Sequence, residues 1–168
     1  HVTRVVTAVG YERWTDRKKE LFRFKYSAET ALATGRKRVH TEYTGMDGAT
    51  LVREKAEFDS SNRLERYKVS WDEIGADGLV EIETEKARIS FVRPGKTNRS
   101  TKDADNRFIV SLTIPNFIRM GWTNLVRGEQ IRGRLAVVDR RDTFGVGFRK
   151  SGVHFIRGKK ASVIEMKP

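Results

Sequence analysis

Apolar and polar residues alternate with a period of two along most of the chain, the pattern of strands that bury one face. Phe22, Phe24 and Tyr26 alternate with Arg23 and Lys25, and Val39, Thr41 and Tyr43 with Arg38, His40 and Glu42. Val52, Glu54, Ala56 and Phe58 share one face of the next segment. Tyr67, Val69 and Trp71 share a face of the one after, opposite Arg66, Lys68 and Ser70. Tight turns are predicted at Met46-Asp47-Gly48, Asp59-Ser60-Ser61-Asn62 and Gly75-Ala76-Asp77-Gly78, where the chain concentrates residues that accept turn geometry. Strands over Leu79 to Glu85 and Ala87 to Arg93 complete a meander. The pattern predicts an all-β, mainly antiparallel fold: a curved meander sheet or half-open barrel of about 8–10 strands.

Two stretches depart from alternation. Pro94 to Arg107 is polar and rich in turn formers, which predicts an exposed loop. From Thr113 the period changes to three and four: Phe117, Ile118, Trp122, Leu125 and Val126 form one stripe, with Pro115 in the first turn and Gly128 past the end. That spacing predicts one amphipathic helix near 114–127. Its stripe is expected to lie across the concave face of the sheet, with a close backbone contact at Gly121. Alternation then resumes at Ile131, Gly133, Leu135 and Val137, continues at Phe144, Val146 and Phe148 with Gly145 and Gly147 between them, and ends with Val153, Phe155 and Ala161 to Met166. No linker, repeat or heptad divides the chain, so 1–168 reads as a single β domain. It stops at Pro168 directly after an apolar strand and begins at His1, so the natural protein is expected to continue past Pro168, and the chain to have been processed, or cut from a longer one, ahead of His1.

Composition narrows the chemistry. The chain has no cysteine, which removes disulfides and thiolate metal sites, and no apolar run approaches a membrane span. The net charge is +12, distributed as +6 over residues 1–41, −6 over 42–86 and +12 over 87–168. Residues 131–160 alone carry nine bases against two acids. Such a field attracts polyanions. Arg132, Arg134, Arg140, Arg141, Lys159 and Lys160 are the candidate contacts to an anionic surface, either lipid head groups or a nucleic-acid backbone. Charge neutralisation between 42–86 and 131–160 is the competing account.

Catalytic and metal motifs fail on inspection. Gly95-Lys96-Thr97 lacks the leading glycine of a phosphate loop, since Ser90 stands there. Asp103 and Asp105 lack the glycine and closing glutamate of a calcium loop. Asn98-Arg99-Ser100 is a glycosylation sequon. His40 and His154 are too few for most metal or triad chemistry, and His40 reads as a solvent-facing strand residue. Glu81, Glu83 and Glu85 read as an exposed acidic face beside basic strands. No catalytic residue, metal or cofactor is assigned, and the chain reads as non-enzymatic. Phe144, Phe148 and Phe155 among cations admit base stacking, which keeps a basic β-sheet nucleic-acid-binding protein, acting in the cytoplasm, as the alternative.

The meander followed by one amphipathic helix (Phe108 to Trp122) and the hairpin Ala136 to Phe148 resembles a group of secreted bacterial domains of unknown function. Their curved sheets are similar to the half-barrels of periplasmic lipoprotein carriers. The resemblance implies a periplasmic or secreted protein of the bacterial envelope, with a concave apolar face that holds a lipid or amphiphile, and no catalytic residues. The net charge of +12 departs from that of a simple lipoprotein shuttle. The predicted lining is Phe22, Phe24, Tyr67, Val69, Trp71, Phe91, Trp122, Leu135, Val137, Phe144 and Phe148. A structural domain whose core is filled by those same side chains, with no ligand, is the third reading.

Overall fold

A computed structural model describes residues 2–11, 19–156 and 158–168. Eight strands follow one another in sequence order in one antiparallel, unclosed sheet: β1 (Val2–Tyr11), β2 (Glu20–Thr30), β3 (Lys37–Gly45), β4 (Thr50–Phe58), β5 (Leu64–Trp71), β6 (Ala76–Glu83), β7 (Lys86–Arg93) and β8 (Lys96–Asp103). A second sheet of four strands has the order β12-β11-β10-β9, formed by β9 (Phe108–Ile109), β10 (Ile131–Val137), β11 (Asp142–Ile156) and β12 (Lys159–Lys167). The all-β antiparallel architecture is as the alternation predicts.

Register sorts the meander's side chains into rows that cross the strands. On the inner face one row runs Val6, Tyr26, Thr41, Glu54, Val69, Gly78, Phe91, Asn98. A neighbouring row runs Ala8, Phe24, Tyr43, Val52, Trp71, Ala76. On the outer face, Glu29, Arg38, Glu57, Arg66, Glu81 and Arg88 succeed one another across six strands with alternating sign. Opposite charges facing across strands each contribute a few tenths of a kcal/mol, and the alternation also fixes register. The acids of this row thus face their counter-charges within the meander. Glu81 pairs with Arg66 at 3.8 Å and Glu83 with Arg88 at 3.0 Å, on the outer face expected, while Glu85 lies in the β6–β7 turn instead of on that face. His40 lies on this outer face beside Lys55. Burial first, and then the charge of Lys55, hold its pKa below the usual value.

The second sheet packs onto the inner face. Ala136, Val138, Phe108 and Val110 join Val39, Ala56, Phe58, Tyr67, Val69, Val80, Ala87 and Ile89 in one buried cluster. Gly78 is the point of closest approach, for a Cβ there would stand 2.4 Å from Val138 Cγ1 and 2.9 Å from Val69 Cγ1. Gly78 is thus a mid-strand residue of β6. The turn predicted at Gly75–Gly78 spans Asp72 to Gly75 instead, closed by the Gly75 N–H donating to the Asp72 carbonyl at 3.3 Å.

Three further expectations are corrected. Pro94 to Arg107 is mostly strand β8, joined to β7 by a turn with Gly95 at φ 74°. A ladder needs backbone groups and not apolar side chains, so a polar segment continues the sheet. Its inner-facing Ser100 donates to the Arg141 carbonyl at 2.5 Å, and Lys102 pairs with Asp142 at 2.6 Å. The helix over 114–127 is divided at Gly121 into α1 (Ile114–Met120) and α2 (Trp122–Val126), where Ile131 presses so closely that a Cβ would stand 2.6 Å from its Cδ1. The helices cover the second sheet rather than the meander. Leu125 is wholly buried with Ile109, Ile131, Val146 and Phe148, and Phe117 and Ile118 pack around them, while Trp122 remains 38% exposed. The reason is topological: β9 and β10 pair in parallel. Parallel neighbours need a crossover, and a crossover helix packs on its own sheet.

Candidate functional site

Glu54 is the anomaly of the inner face. It lies in mid-β4, in phase with Val52, Ala56 and Phe58, and is only 5% exposed. A carboxylate so placed needs hydrogen-bond partners, and it has three hydroxyls. Thr41 Oγ1 of β3 donates to Oε2 at 2.9 Å and the Tyr67 phenol of β5 donates to Oε1 at 2.6 Å. Ser111 Oγ, which opens the 3-10 turn Ser111–Thr113 ahead of α1, makes a short hydrogen bond to Oε1. Tyr67 and Ser111 oxygens lie 2.9 Å apart. Tyr43 stands next to the cluster. Burial first, and then the Glu54 charge and hydrogen bond, push its phenol up to about 12. The same causes raise Tyr67 further.

The cluster forms the floor of a cleft of about 320 Å³ between the two sheets. Tyr43, Val52, Val69 and Trp71 line the meander side, and Leu135 to Asp139 line the side of β10. The Trp71 ring packs edge-on against Phe91 at 5.7 Å. From Tyr43 the apolar row continues toward β1 through Phe24, at 5.1 Å between ring centres, and Phe22, at 5.6 Å. Both phenylalanines are only half-buried, because the second sheet does not extend over that end of the meander.

A larger depression of about 580 Å³ on the outer face involves Arg53, Lys55 and Lys68. Two of its cations are already paired, Arg53 with Asp72 at 2.8 Å and Lys68 with Asp77 at 3.2 Å. Exposed pairs of this kind are solvated surface.

The structure brings together part of the predicted lining. Tyr67, Val69, Trp71, Leu135 and Val137 line the cleft, Phe91 backs Trp71, and Phe22 and Phe24 extend the row. Three members fall elsewhere. Phe148 is buried beneath the helices against Phe117, with 5.8 Å between ring centres. Trp122 lies on α2, away from the meander's buried cluster. Phe144 is exposed beneath the Arg140 guanidinium, 6.0 Å from the ring centre. Of the predicted cationic set, Arg134 is tied to Asp105 at 3.0 Å and to the Asp103 carbonyl at 3.1 Å. Arg134 and Arg107 hold the Asp105 carboxyl down to about 2. Arg141 is half-buried in the β10–β11 turn at φ 55°. Arg132, Arg140, Lys159 and Lys160 are exposed.

No family model, curated protein or solved structure matches the chain. Among the described residues, no group of three or more His, Cys, Asp or Glu side chains is placed to hold a metal, and no helix is long and apolar enough to cross a membrane. Sequence reasoning passed over Glu54, Thr41, Tyr43 and Ser111 as site residues. The signal that was present is a lone acid in the apolar phase of β4.

Proposed function

We propose that this protein binds, without chemically altering it, an apolar or amphiphilic molecule laid along the inner face of the meander, with one end in the cleft between the sheets. The observation that carries this reading is the cleft itself: mostly apolar walls from Tyr43, Val52, Trp71, Leu135 and Val137 converge on one buried polar cluster. Small-molecule sites combine those two features, and 320 Å³ is at the lower end of their size range. The uncovered aromatics Phe22 and Phe24 supply the continuation that a chain longer than the cleft requires.

Titration with the neutral fluorophore N-phenyl-1-naphthylamine tests the reading. One saturable site at micromolar protein is expected. Val137→Trp, which fills the cleft from a half-buried position on β10, is expected to weaken binding at least about tenfold, the equivalent of 1.4 kcal/mol. Absence of binding to the unmodified protein would instead show a filled core.

A further inference from the structure

We infer that the ligand carries a hydrogen-bond-donating head group, a primary amine on an apolar chain, and that Glu54 is the group that receives it; this rests on the reading of the cleft as a ligand site. The argument is a count of protons. Each hydroxyl around Glu54 owns one proton, and each directs it at the carboxylate: Thr41 at Oε2, Tyr67 and Ser111 at Oε1, and Tyr43 through its own hydrogen bond to Glu54. The 2.9 Å approach of the Tyr67 and Ser111 oxygens therefore holds no further proton to offer. What the cluster presents to the cleft is lone pairs, on the hydroxyl oxygens of Tyr43, Tyr67 and Ser111 and on the carboxylate. Near the cleft's β10 end stands a second acid, Asp139, and among the described residues no Lys, Arg or His lines the cleft.

A fatty acid or a phosphate head placed there would set acceptor against acceptor and anion against two carboxyl groups. An alkyl alcohol supplies one donor. An ammonium supplies three donors and the opposite charge, and charge-assisted hydrogen bonds are the stronger kind. The preference runs against the charge of the molecule as a whole. At +12 the protein's long-range field favours anionic amphiphiles, so a preference for the amine must originate locally, in the cleft.

The experiment displaces bound N-phenyl-1-naphthylamine with dodecylamine, dodecanol and dodecanoic acid, each below its micellar concentration, at neutral pH. Dodecylamine is expected to displace the probe at a concentration about tenfold or more below that of dodecanoate, with dodecanol between them. Glu54→Gln, whose amide offers donors of its own, is expected to abolish the amine's advantage over dodecanoate. Ser111→Ala provides a variant that keeps the carboxylate. It frees one acceptor site on Oε1 and is expected to preserve or raise the amine's advantage. Probe binding with dodecanoate equal or superior to dodecylamine overturns this inference and leaves the binding function standing. Failure of the neutral probe to bind at all overturns the binding function, and this inference with it.

Discussion

Glu54→Ala is expected to lower the thermal unfolding midpoint by about 5–15 °C, the counterpart of about 2–5 kcal/mol in a chain of this size. The loss arises from the partners and not from the glutamate itself. Thr41 is 1% exposed and Tyr67 4%, so neither hydroxyl can turn to bulk water when its acceptor is removed. A buried hydroxyl left unpaired costs about 1–3 kcal/mol. Ser111 lies at the exposed start of the 3-10 turn and is rehydrated at little cost. Glu54→Gln retains one acceptor oxygen and is expected to lose less than half as much. Differential scanning calorimetry of the two variants checks the ordering. Equal midpoints for wild type and Glu54→Ala would show that the three hydroxyls do not depend on the carboxylate.

The second large effect is expected at the junction of the sheets. Gly78→Ala should destabilise the protein by about 1–3 kcal/mol, the usual cost of forcing atoms into a filled site. The added methyl meets Val138 Cγ1 at 2.4 Å and Val69 Cγ1 at 2.9 Å, and neither valine has a flexible end to swing aside. Val138→Ala removes the closer of the two contacts. Combined with Gly78→Ala it should cost less than the sum of the single changes, by at least about 0.5 kcal/mol. Urea denaturation of the three variants measures that coupling. Strict additivity would mean that β10 does not seat against β6 as described. Because Val69 and Val138, the two side chains that the methyl displaces, line the cleft, Gly78→Ala should also weaken probe binding.

Legibility of this fold in its sequence follows burial. Strands β2 to β7 each place one face against the core, so their alternation is strong and their turns stand out. Strand β8 has polar residues on both faces, and nothing in Lys96 to Asp103 distinguishes a ladder partner from a loop, since backbone hydrogen bonds leave no trace in side-chain type. The helical stripe was legible, but what it covers was not. That depends on β9, two residues long, pairing in parallel with β10. Gly78 resembles a turn glycine by composition and is glycine because of Val138, sixty residues later. The site was legible only by halves. Glu54 stands visibly out of place among Val52, Ala56 and Phe58, yet Ser111, which completes its shell, comes from another element fifty-seven residues away. Phe144 and Trp122 share the alternation or stripe of core residues, and their exposure depends on where the sheets end, which no local pattern encodes.

The central claim is that an apolar molecule occupies the cleft between the sheets. It is tested most directly by methyl-detected NMR of Val- and Leu-labelled protein titrated with dodecanol. The predicted result is a saturable set of shifts at Val52, Val69, Leu135, Val137 and Val138, with Val153 of β11, Val163 of β12 and Leu125 on the buried side of α2 unmoved. Shifts confined to Val153 and Val163 or to the exposed valines of β1, or no shifts at saturating dodecanol, would contradict it.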